Sequence, residues 1–206
     1  MKRLSLGIAL NPPLFFLPLS LFLLFFSPLS LGAPDSVSAE IQQILKSGKH
    51  PRLRWGNFSD VSKTLAVLYA PGSAPVWSRE GVPSIQAKAV LEVLASADDV
   101  GLNTLDYDVS LLSEWLKPSV LKAAAPSEWA AFDVAMSVAV SRYASNVALG
   151  RINPKSVGFA LDVDAKRPQV LKVVRELPQA SNPKLQLAGL EPDFPIYKPL
   201  KAALLR

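Results

Sequence analysis

Nucleophilic catalysis needs a hydroxyl, thiol or amine beside a base, and the sequence offers few such settings. Its only histidine is His50, and it has no cysteine. His50 stands in the polar run 49–56, read as a connector ahead of the folded region. An imidazole there lacks the third group that fixes it in a Ser-His-Asp triad. One histidine and no cysteine also exclude multi-histidine and thiolate metal sites. Two S-x-x-K pairs occur, Ser119 to Lys122 and Ser181 to Lys184. This spacing can set a lysine one helical turn beyond a nucleophilic hydroxyl. Pro183 interrupts the second pair and Ser119 reads as a helix cap. The companion S-D-N and K-T-G motifs are missing.

Neighbouring acids occur at Asp98-Asp99, Asp106/Asp108 and Asp162/Asp164. Paired carboxylates can serve glycoside hydrolysis or hold calcium. Neither the glycine nor the glutamate of a calcium loop is in register with them, so they read as loop acids. No glycine-rich phosphate loop or other cofactor motif is found, and no cofactor is expected. Gly150-Arg151-Ile152-Asn153-Pro154 is more specific. A glycine leaves a helix, a charge follows, and Asn-Pro turns into the next element. Arg151 is read as a clamp on a carboxylate or a helix C-terminus.

The elements that position these residues are helical. A short helix is predicted from Asp35 to Ser47, closed by Gly48. Asp60 is read as the cap of a helix carrying Val61, Leu65 and Leu68 on one face. A short extended stretch covers 74–77. Ser84 caps a helix through about Ala97, and Gly101 stops it. A helix from Val109 to Leu116 is closed by Pro118. From Ser127 to Leu149, Trp129, Phe132, Met136, Ala139, Tyr143 and Val147 recur at three- and four-residue steps. Val134, Ala135 and Val138 extend the apolar character round the helix, which marks a central, buried element. Pro154 opens a short helix, another runs from Arg167 to Leu177, and Asn182-Pro183 lies in a loop before a last helix from about Ile196 to Leu205. Strand signals are nearly absent. The expected fold is all-α, an irregular multi-helix scaffold domain around one buried helix.

The first residues read differently. Lys2 and Arg3 precede an uncharged run from Leu4 to Leu31, with small residues at Ser30, Gly32 and Ala33. This is the pattern of a secretory signal peptide over 1–32, cut after Gly32 or, alternatively, after Ala39. An uncleaved anchor is the rival reading, although Pro12, Pro13, Pro18 and Pro28 interrupt the run. Export to the periplasm is the expectation, with membrane contact only through an uncleaved leader. A linker with a short helix would cover 33–54 and the folded domain 55–206. The formal net charge is +5, two units of which come from Lys2 and Arg3. The remainder is scattered, without the basic stripe of a nucleic-acid binder, and no nucleic-acid partner is expected.

Several stretches occur in a recognisable order: Leu65-Ala66-Val67-Leu68-Tyr69, Ala74-Pro75-Val76-Trp77, Pro83-Ser84-Ile85-Gln86-Ala87, Asp99-Val100-Gly101-Leu102 and Asp106-Tyr107. The apolar helix ending at Tyr143, the motif 150–154, and Pro195-Ile196-Tyr197-Lys198-Pro199-Leu200 continue the series. From about Leu53 to Leu205 the chain resembles the scaffold domain of the large L,D-transpeptidases of Gram-negative bacteria. In that family the scaffold accompanies a peptidoglycan-binding module and a catalytic domain with a cysteine nucleophile and a histidine. The resemblance implies an envelope protein concerned with peptidoglycan cross-linking. The sequence stops at Arg206 and carries no cysteine, so no family catalytic residue has a counterpart here.

The expected function is therefore a non-catalytic scaffold module, standing alone or severed from its enzyme. Its expected partner is a catalytic L,D-transpeptidase domain or peptidoglycan, met through an apolar patch near Tyr143, Arg151 and Tyr197. The alternative is an independent periplasmic binding protein for glycan, peptide or an envelope protein. Trp55, Trp77 and Trp115 would then be candidates for stacking on sugars, with Trp77 and Trp129 otherwise read as core.

Overall fold

The computed structural model describes residues 36–79, 81–121 and 124–206. The expected leader over 1–32, its cut after Gly32 and its reading as an anchor lie outside these residues, as does Lys122; the alternative cut after Ala39 falls within the helix Ser36–Ser47. Among the described residues no helix is long and apolar enough to cross a membrane.

The fold is all-α. Its centre is a helix at Pro126–Leu149, the sixth in chain order and labelled α6. Pro126 opens it, since a proline at the first helical position forfeits only a donor that would be unpaired anyway. Alanines at 130, 131, 135, 139, 144 and 148 favour the helix and keep its surface narrow. Seventeen of its residues are buried. Gly150 ends it at φ 82°, its N–H returning to the carbonyl of Asn146.

Around α6 pack α1 (Ser36–Ser47), α2 (Ser62–Leu68), α3 (Ile85–Ala95), α4 (Val109–Trp115) and α7 (Arg167–Glu176). Ser84 caps α3 as expected, accepting from the N–H of Ala87 at 3.0 Å. This turns Ala87, Val90, Leu91 and Leu94 into the core. Burying each leucine or valine there contributes roughly 1.5–3 kcal/mol before entropy is subtracted. Gly101, at φ 75°, stops a 3-10 turn over 97–100 rather than α3 itself. Helices α5 (Pro118–Leu121), α8 (Pro183–Ala188) and α9 (Tyr197–Leu204) complete the α-helices of the described residues. The strands Ser78–Arg79 and Val82–Pro83 form a minimal antiparallel hairpin.

Several expectations need correcting. The segment 33–54 is not a linker over its described part. Ile41 of α1 is 1% exposed and packs in the same core as α6. His50 is 2% exposed rather than free in a connector. Its Nε2 lies 2.9 Å from the carbonyl oxygen of Ala131, and its Nδ1 faces the N–H groups of Arg52 and Leu53. Nδ1 is thus the acceptor, and the proton sits on Nε2. The run 48–58 closes on itself: His50 donates its N–H to Gly56 at 2.8 Å, and Lys49 bridges Asn57. A Cβ at Gly56 would stand 2.6 Å from the His50 carbonyl oxygen, so the closure requires glycine. Polar composition hid this because the loop satisfies its own backbone and anchors through two side chains, His50 and Leu53.

Asp60 does not cap α2; that helix starts after Val61 with no side-chain cap. Asn182-Pro183 does not sit in a plain loop. Asn182 caps α8 by accepting from the N–H of Leu185 at 3.0 Å. Pro118 opens α5 as well as following α4.

Candidate functional site

Three groups of polar side chains stand out on this frame. The first is internal. Asp133, in the middle of α6, is fully buried. Its carboxylate accepts from Tyr69 Oη at 2.7 Å, the Val76 N–H at 2.8 Å, the Trp77 N–H at 3.0 Å and Ser78 Oγ at 3.1 Å. One turn on, Ser137 Oγ meets Trp77 Nε1 and Tyr69 Oη, each at 2.7 Å. Burial pushes the Asp133 carboxyl up to about 6, against the opposing pull of its donors. Every donor comes from the chain itself, so this cluster ties 69–78 to α6.

The second group is the trio expected at the surface. Tyr143 is 5% exposed, so it is not part of a surface patch in its own right. It meets Tyr107 edge-on, with ring centres 5.5 Å apart. Burial and then the Glu191 carboxylate push its hydroxyl up to about 12. Tyr197, on α9, is pushed to about 12 as well, by burial and then Glu191. Both oxygens of Glu191 receive Lys201 Nζ at 2.8 Å. Arg151 extends the other way, its Nη1 3.0 Å from Asp106 Oδ2. The structure thus gathers Tyr143 and Tyr197 about Glu191 and sets Arg151 against the far side of Tyr107, which follows Asp106.

The third group forms an open cleft of about 440 Å³. Trp55, Asp60, Tyr107, Arg142, Asn146 and Arg151 line it. Arg142 donates to both Asp60 oxygens and to the carbonyls of Trp55 and Asn57. Asn146 Nδ2 donates to Tyr107 Oη at 2.9 Å. Trp55 is 55% exposed, whereas Trp77 and Trp115 are buried and cannot stack on a ligand from solvent. Trp115 instead packs on Phe132 and carries the Arg52 guanidinium 4.4 Å from its ring centre.

The paired acids close loops. Asp98 accepts from the N–H of Thr104, and Asp108 from the N–H of Arg54. Asp162 accepts from the N–H of Asp164 and faces Lys155. Lys184 pairs with Glu92, away from Ser181.

Sequence reasoning missed Asp133, Ser137 and the pairing of Arg142 with Asp60. One signal was present: Asp133, Ser137 and Ser141 recur every four residues on a helix otherwise apolar at those levels. Such a stripe inside a buried helix calls for internal partners.

The fold is a helical body built round one buried helix, to which side chains such as Asp133 and Arg142 tie the loops. The chain belongs to the Scaffold domain family, whose model matches residues 63–204. The matched region begins within α2, so α1 and the closed loop 48–58 precede it yet pack on the same core. No curated protein and no solved structure matches the chain.

Proposed function

We propose that the chain is a non-catalytic scaffold module of an L,D-transpeptidase-type cell-wall protein, acting in the periplasm after export. It supports peptidoglycan cross-linking by docking on a catalytic domain or on peptidoglycan. Its membership of the Scaffold domain family and the ordered motifs from Leu65 to Leu200 support this reading.

The observation that carries it is a concentration of exposed apolar side chains in two segments. Ile152, Val157, Phe159 and Leu161 follow α6, and each is more than half exposed. Phe194, Ile196 and Leu200 lie at and before α9 with similar exposure. Lys166, five residues past Leu161, places its Nζ 6.0 Å from the Phe194 ring centre. Apolar surface of this kind marks docking sites. Ile152 and Ile196 adjoin Arg151 and Tyr197, two of the three residues near which a patch was expected, whereas the Tyr143 ring is buried.

The test is binding of the purified chain to a purified L,D-transpeptidase catalytic domain and, separately, to isolated sacculi. Retention by one of them, lost in Phe159→Asp and Ile196→Asp, is the expected result. Retention by neither would remove the proposal. Cell fractionation with antibody detection checks the compartment, and a cytoplasmic protein would contradict it.

A further inference from the structure

We infer that residues 159–163 are a docking strand, which binds by adding itself to the free edge of a β-sheet in a partner protein. This rests on the reading of 152–161 as docking surface and names what that surface meets. Gly158, at φ 86°, carries the chain out of the 3-10 turn Pro154–Val157. From 159 to 163 it then runs with neither turn nor bend. Val163, at φ −90° and ψ −12°, leads it into the next 3-10 turn.

The backbone of this run is largely unspent. Phe159 donates its N–H to the Pro154 carbonyl at 3.0 Å, and the Val163 carbonyl accepts from the N–H of Lys166 at 3.1 Å. Between them stand the N–H groups of Ala160, Leu161, Asp162 and Val163 and the carbonyls of Phe159, Ala160, Leu161 and Asp162. None of these meets a protein partner among the described residues. In an extended segment successive residues offer their N–H and C=O to opposite edges. Phe159 spends its N–H on Pro154, so Ala160 and Asp162 offer theirs on the other edge.

The side chains fit the same mode. Phe159 and Leu161, two apart, fall on one face of an extended segment. They are 68% and 61% exposed. Asp162, on the other face, is answered by Lys155 Nζ at 3.3 Å, so the strand presents no net charge to a partner. Strand edges open to water are commonly guarded by lysine or proline. Residues 158–163 hold neither. Backbone pairing then gives affinity, and pockets for Phe159 and Leu161 give specificity.

Two considerations choose the occupant. Two copies of the segment would pair as a short two-stranded ribbon, which is marginal in water. The one hairpin among the described residues, Ser78–Arg79 with Val82–Pro83, is too short to receive the segment from a second copy. A sheet already built in another protein brings paired strands and an apolar face for the two side chains.

The test is amide hydrogen exchange in the full chain, alone and with the purified L,D-transpeptidase catalytic domain. In the chain alone the amides of 160–162 should exchange at the rate of an open peptide. In the complex Ala160 and Asp162 should slow by about a hundredfold or more, and Leu161, on the outer edge, by much less. Ala160→Pro deletes one donor and should weaken binding about tenfold, whereas Ala160→Ser keeps the donor and should bind like the parent. Thermal unfolding of both variants should match the parent, since that N–H is unpaired in the free chain. Binding without protection at Ala160 and Asp162, or unchanged affinity in Ala160→Pro, overturns the inference and leaves the proposed function standing. Retention on sacculi alone does the same, because glycan strands and stem peptides offer no sheet. Protection that grows with concentration in the chain alone would make the occupant a second copy and overturn the partner assigned here. Binding to neither probe removes both readings.

Discussion

Arg142 and Asp60 face each other as a two-point pair, Nε on Oδ2 at 2.8 Å and Nη2 on Oδ1 at 3.0 Å. The same guanidinium also holds the carbonyls of Trp55 and Asn57, at 2.9 and 2.6 Å. One side chain from α6 thus fastens the loop 55–60 to the central helix.

Arg142→Ala should lower unfolding free energy by about 2–3 kcal/mol, because several donors to charged and backbone acceptors go at once. Arg142→Lys should recover less than half of that, since an ammonium cannot copy the planar fork. Urea unfolding of the three chains checks both statements. Full recovery by lysine would mean that charge alone matters here.

Asp133 gives a pH signature. Its carboxyl is pushed up to about 6 in the folded chain, above the 3.8 of a free carboxyl. Between those values the folded chain binds more protons than the unfolded one, so this group makes stability fall as pH rises. Two units correspond to roughly 3 kcal/mol. Asp133→Asn should be less stable than the parent throughout, because its amide N–H groups would face donors. The gap should narrow as pH rises from about 4 to about 6. Unfolding midpoints measured across that range decide it; a gap that widens would contradict the assignment.

His50 acts with the opposite sign. Burial, first of its causes, lowers its pKa below 6.5. Below 6.5 the unfolded chain takes up the proton first, so this contribution is complete above 6.5 and is lost as pH falls through the folded value. His50→Ala should cost about 2–3 kcal/mol at neutral pH, from a cavity and from the two N–H groups left facing it. The cost should shrink toward acid pH. A flat difference between pH 5 and 8 would show that the ring is not buried neutral.

Ile41 tests the N-terminal boundary. In a linker, Ile41→Ala would change stability by less than about 0.5 kcal/mol. Packed as it is against α6, the substitution should cost about 2–4 kcal/mol. Deletion of 36–48 should abolish the cooperative thermal transition altogether.

The central helix was legible because apolar residues recur at three- and four-residue steps along its length, with only the polar line of Asp133, Ser137 and Ser141 among the buried ones, and Gly150 closed it. The cap of α3 was legible for a similar reason: a serine at the right offset has one cheap partner, the N–H of Ala87. The closed loop 48–58 was not. Its fold depends on His50 reaching Ala131, 81 positions away, and on Gly56 tolerating a carbonyl at its Cα. Neither shows in local composition. Asp60 was misassigned because an aspartate before a helix suits a cap and a distant arginine equally well. Arg151 and Tyr197 were singled out by motif, but their carboxylate neighbours Asp106 and Glu191 emerge only once the chain is folded.

The position of α6 along the chain bears on how the protein comes to exist. Helices α1 to α4 leave the ribosome before residue 126 does, and although α1 meets α2 and α3 meets α4, the apolar flanks that face α6 have nothing yet to lie against. The donors around Asp133 likewise wait more than fifty positions for their acceptor. A nascent chain halted before the sixth helix should therefore be sticky and protease-sensitive, a client for holding chaperones. Emergence of α6 supplies the surface on which these helices, and then α7, settle.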